Sequence, residues 1–285
     1  MQPILLTHCG AGSDRSVQDA AETAGRVGLA ILHRGGRALD AVVEAVAILE
    51  DDPRLNAGTG SRLRTDGRIQ MDAAVMGWNL EAGAVAAIER VKNPIRVARD
   101  VLLTPHILLV GPDAVAFARA RGHADYDPTT PASRAKLEES LRMIQEGRVP
   151  RYYRKFNGLD LHETVGAVAR DRRGHCAAAV STGGTSFMLP GRVGDSPILG
   201  SGLYAGPYGA VCATGIGEEI MKRVLSKYVY DQMAAGRSPQ TAADRGVALF
   251  PRGISVGLIA VGKRGWGEAC DRDMAYYASA KGRTL

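Results

Sequence analysis

The sequence predicts a globular protein of mixed α and β structure, in which helices are layered around a central sheet. Short apolar stretches alternate with helical patterns in both halves of the chain, an order that is typical of such layers. The 285 residues are 45% hydrophobic and 23% charged, which is ordinary for a globular protein and allows a sizeable core. Glycine contributes 35 residues, well above the usual ~7%, and predicts many tight turns.

The N-terminal half contains patterns for four strands and four helices. Apolar stretches predict strands at residues 3–7, 68–74, 82–88 and 106–110. Helical spacing predicts helices at residues 17–33, 38–50, 94–101 and from about 112 to 119. Gly35 and Gly36 follow the first of these helices, and Pro94 begins the third, as is typical of helix ends and starts.

The segment from about residue 127 to residue 163 differs from its surroundings and is interpreted as a linker. Residues 127–155 contain three prolines, many charges and no strand pattern, with one amphipathic stretch at 137–144. Residues 133–155 carry seven Lys/Arg against three Asp/Glu, so four of the six net positive charges lie there. Because the basic residues are concentrated in one segment, we expect no nucleic-acid partner.

The C-terminal half is built from predicted hairpins and glycine-rich loops. Strands at 164–169 and 176–182 form a hairpin, and a glycine-rich run follows at 183–206. A strand is predicted at 209–214, a helix at 218–235, a further helix after Ser238-Pro239, and a closing hairpin of 255–261 with 267–270. No repeat of fixed period is found in the sequence.

Several function classes have no support in the sequence. GxG pairs occur at residues 10–12, 58–60 and 215–217, among others, but none extends to the dinucleotide-binding pattern, and GxxxxGK[ST] is absent. The six histidines show no metal-binding or triad spacing, so we expect structural positions for them, and the four cysteines are widely scattered. No apolar stretch reaches the ~18 residues of a membrane span, and the N-terminus has no secretory pattern, so we expect a cytoplasmic protein without membrane contact.

Thr164 is the strongest candidate for a reactive residue, because it opens a strand directly after the linker. A threonine hydroxyl is a weak nucleophile unless a base lies beside it. Cleavage of the chain just before Thr164 would create an α-amino group on the same residue. Such an amine has a reference pKa of about 7.7–8.0 and can act as a base near neutral pH. Thr182 supplies a second hydroxyl at the end of the next strand.

Two further groups of residues could bind an amino-acid substrate. Arg192 and Asp195 lie three positions apart in a loop bounded by glycine and proline. A guanidinium can hold a carboxylate and a carboxylate can hold an ammonium, so this pair suits an α-amino acid. Thr214 and Gly215 end a strand before a helix, where a hydroxyl and backbone N–H groups suit an oxyanion hole.

Long motifs in both halves resemble the plant-type L-asparaginase/isoaspartyl peptidase family, whose members are N-terminal nucleophile hydrolases. The second half contains Thr164-Val-Gly-Ala-Val, Ser181-Thr-Gly-Gly, Leu189-Pro-Gly-Arg-Val-Gly-Asp-Ser-Pro197 and Ala213-Thr-Gly-x-Gly-Glu218. The first half contains His8-Cys-Gly-Ala-Gly12, Leu55-Asn-Ala-Gly-Thr-Gly60, Met71-Asp-Ala73 and Ala82-Gly-Ala-Val85. The resemblance covers nearly the whole chain outside the linker and the C-terminus.

The resemblance implies an α+β fold of the αββα four-layer sandwich type, formed as a single domain over residues 1–285. It implies that the precursor cuts itself between Glu163 and Thr164. The products would be an α subunit, residues 1–163, and a β subunit, residues 164–285. The mature enzyme would be a homodimer of cleaved protomers.

The resemblance also implies roles for individual residues. Thr164 would be the nucleophile and, through its new amine, the general base, while Thr182 would hydrogen-bond it and Asn56 would help to position it. The remaining roles are an oxyanion hole formed by Thr214 and Gly215, a substrate α-carboxylate bound by Arg192, and a substrate amine held by Asp195 and Gly217.

No cofactor is expected for catalysis, but the resemblance implies a structural sodium ion. The loop that follows the second helix would bind it through backbone carbonyl groups, those of Leu49, Glu50, Asp52, Leu55, Ala57 and Thr59. The expected substrates are small molecules, namely L-asparagine and β-aspartyl (isoaspartyl) dipeptides, from which L-aspartate would be released.

The chain departs from the family pattern at several points. Glu163 stands where Gly or Asp usually precedes the nucleophile, and the segments after Met76 and Gly184 and at residues 270–274 also differ. Two other functions are compatible with the sequence. One is an aspartylglucosaminidase-like amidase, and the other is an uncleaved homologue that binds a small molecule without catalysis.

Overall fold

Residues 1–148, 164–186, 188–280 and 283–284 are described by a computed structural model of the chain. Within these ranges the chain forms twelve strands and eight α-helices. The strands are β1 (Ile4–Ala11), β2 (Met71–Gly77), β3 (Ala82–Ile88), β4 (Leu108–Val110), β5 (Val165–Arg170), β6 (Cys176–Thr182), β7 (Leu203–Gly206), β8 (Gly209–Gly215), β9 (Val256–Gly262), β10 (Gly265–Cys270), β11 (Met274–Ala280) and β12 (Arg283–Thr284). The helices are α1 (Gln18–His33), α2 (Ala38–Asp51), α3 (Pro94–Val101), α4 (Gly111–Ala120), α5 (Pro131–Gln145), α6 (Gly217–Arg223), α7 (Leu225–Ala234) and α8 (Pro239–Val247).

The strands of the described ranges pair into two sheets. The larger sheet has eight strands in the order β12-β11-β1-β5-β6-β2-β3-β4, and the smaller has four in the order β10-β9-β8-β7. Every pair is antiparallel except β3 with β4. The chain is therefore an α+β protein, which confirms the predicted class.

Apolar side chains form three buried clusters. The first lies between one face of the larger sheet and helices α1–α3, and the second lies between the two sheets. The third joins the smaller sheet to α7 and α8. Side chains alternate between the faces of a strand, so Leu5 points to the helices while Leu6 points to the smaller sheet.

Most predicted elements are confirmed, some with shifted ends. The helices at α1–α3 and the strand β3 lie where the periodicity predicts them, and the hairpin of β5 and β6 forms as expected. The strand predicted at 68–74 instead runs from Met71 to Gly77, and the strand predicted at 106–110 is limited to β4. None of the described helices is both long and apolar enough to cross a membrane.

The amphipathic stretch predicted within the linker belongs to a longer helix, α5, which spans residues 131–145. Thr130 and Ser133 cap the start of this helix reciprocally, each side chain accepting a hydrogen bond from the other's backbone N–H, and Pro131 occupies the first turn. The interpretation as a linker gave weight to prolines and charges, although the same residues begin a solvent-exposed helix. Residues 149–163 of the proposed linker lie outside the described residues.

The single helix predicted at 218–235 is also wrong, because Val224 interrupts it with a backbone φ of 47°. The interruption has a tertiary cause. The backbone N–H of Lys227 donates to the carbonyl oxygen of Gly200 at 2.8 Å, and Ser226 Oγ donates to Ser201 O at 2.7 Å. These contacts draw the start of α7 onto the loop before β7, and α6 is left as a short separate helix.

The C-terminus continues beyond the hairpin that was predicted to close the chain. Strand β11 pairs with β1 in the larger sheet, with Leu6 opposite Ala278 and His8 opposite Tyr276. The N-terminal strand is therefore enclosed between β11 and β5. Its side chains are buried on both faces of the sheet.

Candidate active site

The predicted reactive residues meet at one end of the gap between the two sheets. In β6, Val180 points into the apolar cluster between the sheets, so Thr182 two residues later points the same way. Thr164 directly precedes β5 and lies on the same face as Val168. Strand alternation also brings Thr214 into this gap, from β8 of the smaller sheet.

The two threonine hydroxyls of the larger sheet contact each other. Thr164 Oγ1 donates to Thr182 Oγ1 at 3.3 Å, and Thr182 Oγ1 also accepts the backbone N–H of Gly184 at 3.0 Å. Both side chains are buried. A hydroxyl that accepts from both neighbours can orient the Thr164 oxygen, which is the arrangement that a threonine nucleophile needs.

Asn56 acts on this pair through the loop that follows β6. Its side-chain amide donates to Gly184 O at 2.7 Å, and its Oδ1 accepts the N–H of Arg62 at 2.8 Å. The Gly183 N–H donates to the backbone carbonyl of Asn56 at 2.7 Å. The described hydrogen bonds therefore connect Asn56 with Thr164 through Gly184 and Thr182, in line with the expected positioning role.

Thr214 and Gly215 lie at the end of β8, across the gap from Thr164. Thr214 Oγ1 accepts the backbone N–H of Ala11 at 3.1 Å, which joins the smaller sheet to the end of β1. Gly215 has a φ of 137°, and a Cβ there would lie 2.3 Å from Ser255 O. Only glycine allows the chain to turn this closely, so the N–H groups that follow β8 keep their direction.

Arg192 makes a two-fold contact with Glu218. Its Nε and Nη2 donate to the two carboxylate oxygens, each at 2.9 Å. Burial opposes the charge on Arg192, while Glu218 favours it, and the pKa of the guanidinium is raised overall. The Nε and Nη2 donors of Arg192, which we expected to bind a substrate carboxylate, are thus bonded to the carboxylate of Glu218 on α6.

Asp195 is buried beside this pair, and its Oδ2 atom has no hydrogen-bond partner among the described residues. Burial raises the pKa of Asp195 to about 7, against the opposing effect of the nearby Arg192 charge. A Cβ on Gly217 would lie 2.8 Å from Asp195 Oδ1 and 3.0 Å from Arg192 Nη2. The glycine therefore leaves the space in which a substrate amine could reach the carboxylate.

Asp72, His8 and Arg64 surround the same site, although no motif or spacing in the sequence points to a role for them. Asp72 Oδ1 accepts the N–H of Ala87 at 2.8 Å and Oδ2 that of Gly194 at 3.3 Å, so it anchors the loop of Arg192. An acidic residue within an apolar strand was the available signal for Asp72.

His8 lies opposite Gly166 in the sheet, and a Cβ on Gly166 would meet its Nε2 at 2.4 Å. The ring is fully buried, and burial lowers its pKa to about 3, so the imidazole is neutral. No pattern of metal or triad spacing marks such a residue. Only its position in the strand could have indicated His8. It follows Leu6 by two residues and therefore lies on the face that points between the sheets.

The loop expected to bind sodium is tightly wound. The carbonyl oxygens of Leu49, Glu50 and Asp52 each accept a backbone N–H, from Asp52, Thr59 and Leu55 respectively. A carbonyl oxygen has a second lone pair, so these bonds leave room for a cation. A Cβ on Gly60 would lie 2.5 Å from Pro53 O and 2.9 Å from Leu55 O, so carbonyl groups converge beside Gly60. Such oxygens suit a hard cation.

One predicted site residue has no described position. Glu163, the residue before the expected cleavage point, lies outside the described residues. Among the described residues, no group of three or more His, Cys, Asp or Glu side chains could hold a metal ion.

The chain resembles known proteins along nearly its whole length. Residues 1–284 match the family Asparaginase_2, described as asparaginase. A Pyrococcus abyssi protein named plant-type L-asparaginase is 42% identical over 277 residues, which cover 92% of this chain and 90% of that protein. A Bos taurus protein named isoaspartyl peptidase/L-asparaginase is 39% identical over 294 aligned positions. The alignment covers 99% of this chain and 94% of that protein. The chain therefore belongs to the asparaginase family Asparaginase_2, and the resemblance seen in its motifs is confirmed.

The ionisation of Asp195 gives a testable pH dependence. A protonated Asp195 is neutral and cannot pair with an ammonium group, so affinity for L-aspartate should rise as the pH increases through about 7. Calorimetric titration of the purified protein with L-aspartate between about pH 6 and pH 8 measures this. Asp195→Asn should weaken binding by about tenfold or more and remove the pH dependence. Asp244→Asn, an exposed helix position, is the matched control, and affinity that does not change with pH in the unsubstituted protein would contradict the assignment.

Proposed function

We propose that this protein is a self-processed threonine amidohydrolase that releases L-aspartate from β-aspartyl dipeptides and from L-asparagine. The observation that carries the proposal is the contact between Thr164 Oγ1 and Thr182 Oγ1 at the end of the gap between the sheets. The names of the relatives, plant-type L-asparaginase and isoaspartyl peptidase/L-asparaginase, support the same reaction class and both substrates.

Self-processing would use the same hydroxyl as the hydrolysis that follows. Thr164 Oγ1 attacks the carbonyl carbon of Glu163, the peptide C–N bond breaks, and an ester forms. Water then hydrolyses the ester, which leaves a carboxylate on Glu163 and a free amine on Thr164. That amine, with a reference pKa of about 7.7–8.0, supplies the base that a threonine hydroxyl otherwise lacks.

In the hydrolysis, Thr164 Oγ1 attacks the side-chain carbonyl of the aspartyl group and the leaving amine departs. A β-aspartyl enzyme results, and water releases L-aspartate from it. Thr214 and the backbone N–H at Gly215 would stabilise the negative charge that develops on the carbonyl oxygen. Asp195, whose Oδ2 has no partner within the described part of the chain, and Gly217 would hold the substrate amine, while Arg192 would attract the α-carboxylate.

The finer architecture is part of the same proposal. The three apolar clusters, one on either side of the pair of sheets and one between them, support an αββα four-layer sandwich built from residues 1–163 and 164–285 as one domain. The four cysteines are all unpaired, which supports a reducing, cytoplasmic location.

A homodimer of cleaved protomers and a sodium ion held by the carbonyl groups of residues 49–59 complete the proposal. The carbonyls that converge beside Gly60 support the ion site. Sedimentation and thermal unfolding of the cleaved protein in sodium chloride and in choline chloride test both features. A monomer in both salts, or equal melting temperatures, would contradict the dimer or the ion respectively.

An aspartylglucosaminidase-like activity is the second candidate. A protein of Elizabethkingia miricola named N(4)-(beta-N-acetylglucosaminyl)-L-asparaginase is 38% identical over 257 residues, which cover 85% of this chain and 74% of that protein. Hydrolysis of N(4)-(N-acetylglucosaminyl)-L-asparagine faster than of L-asparagine would favour this candidate. A protein that binds L-aspartate, remains uncleaved and hydrolyses none of these amides would instead favour the non-catalytic homologue.

Self-cleavage should be visible on a denaturing gel. At 30.2 kDa for 285 residues, fragments of 163 and 122 residues correspond to about 17 and 13 kDa. The smaller fragment should begin Thr-Val-Gly-Ala-Val on N-terminal sequencing. Thr164→Ala should abolish cleavage and hydrolysis because both use the same hydroxyl, whereas Thr164→Ser should keep some cleavage. The control is Thr23→Ala, at an exposed helix position, and normal cleavage of Thr164→Ala would disprove the mechanism.

The rate of hydrolysis should depend on whether the substrate has a free α-carboxylate. β-Asp-Leu and L-asparagine carry it free and should be hydrolysed, the dipeptide faster. α-Asp-Leu presents a neutral amide in its place and would leave buried charges unpaired, so its hydrolysis should be slower by about a hundredfold or more. Leucine release, measured for both dipeptides under one condition, tests this. Similar rates for the α- and β-linked dipeptides would rule out the isoaspartyl specificity.

A further inference from the structure

The sulfur atom of Met188 lies where a negatively charged group would be expected. Arg64 Nη1 donates to Met188 Sδ at 2.7 Å, and the backbone N–H of Thr185 donates to it at 2.9 Å. Arg192 Nη1 lies 3.9 Å from the same atom. A thioether sulfur is a weak acceptor, yet here it faces two guanidinium groups and an amide.

Arg64 has no carboxylate partner at hydrogen-bond distance among the described residues. Its side chain is fully buried, Nη2 donates to the carbonyl oxygen of Gln70 at 2.9 Å, and Nε has no partner. Burial lowers its pKa to about 10, while Asp72 counteracts this and Arg192 adds to it. A buried cation with so few acceptors is costly for the folded state, so a role in binding would explain its position.

Arg192 offers a substrate only part of its guanidinium group. Glu218 takes Nε and Nη2, which leaves Nη1, and this atom faces the Met188 sulfur. A carboxylate that approaches Nη1 from that side would also reach the Arg64 Nη1 and Thr185 N–H donors. Asp195 Oδ2, which has no partner among the described residues, is available for the amine of the same molecule.

We propose that Arg64 is a second substrate-binding arginine, which holds the α-carboxylate of the substrate together with Arg192 Nη1 and the Thr185 N–H. The inference rests on the proposed function and names a specificity residue for it. The Met188 side chain occupies the carboxylate position in the unliganded protein and turns away when substrate binds.

The properties of the residues fit this exchange. Methionine is unbranched and adopts several conformations, so its side chain can be displaced at little cost. The carboxylate replaces a weak acceptor by two strong ones, and a charged acceptor forms shorter and stronger hydrogen bonds with guanidinium donors. An α-amino acid head group carries one charge of each sign, so its carboxylate can pair with Arg64 while its ammonium pairs with Asp195.

Steady-state kinetics of the cleaved enzyme separate binding from chemistry. Arg64→Gln should raise KM for L-asparagine and for β-Asp-Leu by about tenfold to a hundredfold, and kcat should stay within about threefold. The inhibition constant of L-aspartate should rise with KM, whereas inhibition by β-alanine, which lacks the α-carboxylate, should not change. Arg64→Lys keeps the charge and should restore much of the lost binding.

Arg68→Gln is the matched control, because Arg68 lies in the same segment with half of its side chain exposed and should leave KM unchanged. Gel analysis of cleavage and thermal unfolding show whether each variant is folded, and Arg64→Met, which also removes the charge, carries the test if Arg64→Gln is not folded. An unchanged KM in the folded variant that lacks the charge, Arg64→Gln or Arg64→Met, would overturn the inference while the proposed function stands. A loss confined to β-Asp-Leu would overturn it too, because Arg64 would then contact the leaving group. An unsubstituted enzyme that is inactive on both substrates would overturn the proposed function itself.

Discussion

The register of β5 against β6 is the constraint on which the site depends. Val165 lies opposite Ser181, so the alternation of side chains turns Thr164 and Thr182 toward the gap between the sheets. Ser181 points the other way, to the side of the buried Glu50 carboxyl group on α2, which has a raised pKa because of burial. A slip of one residue would exchange the two faces, bringing Ser181 into the site and removing the Thr182 hydroxyl from Thr164.

Hydrogen bonds to backbone groups hold the surrounding loops in place relative to these strands. Asn56 accepts the backbone N–H of Gly183 and donates to the carbonyl oxygen of Gly184, just after β6. Asp72 in the neighbouring strand accepts the N–H of Gly194. Glycine is required where these segments approach each other, since a Cβ on Gly183 would lie 2.5 Å from Asn56 Oδ1. The loops beside Thr182 and around Arg192 are therefore held by the same strands, which keeps the proposed reacting and binding groups in one frame.

Buried charges set the chemistry of the binding side. Arg192 is paired by Glu218, whereas Arg64 and Asp195 lack a partner of opposite charge at hydrogen-bond distance among the described residues. Each unpaired charge reduces the stability of the empty protein, because charged groups lose hydration on burial. A zwitterionic amino acid would supply the missing carboxylate and ammonium at once. This complementarity favours substrates with a free α-carboxylate and α-amine, and leaves the leaving group less constrained.

Helices α1–α3, the hairpin of β5 and β6, and the family could be predicted from the sequence, because they depend on periodicity and on contiguous motifs. It also indicated Thr164, Thr182, Arg192 and Asp195 as a set. Three features could not be predicted, because each depends on contacts between residues distant in sequence. Val224 divides a helix, β11 encloses β1, and Glu218 binds Arg192 through both carboxylate oxygens. Arg64 could not be predicted either, because a basic residue in a loop follows no local pattern. The fold places it beside the Met188 sulfur, 124 positions away in the sequence.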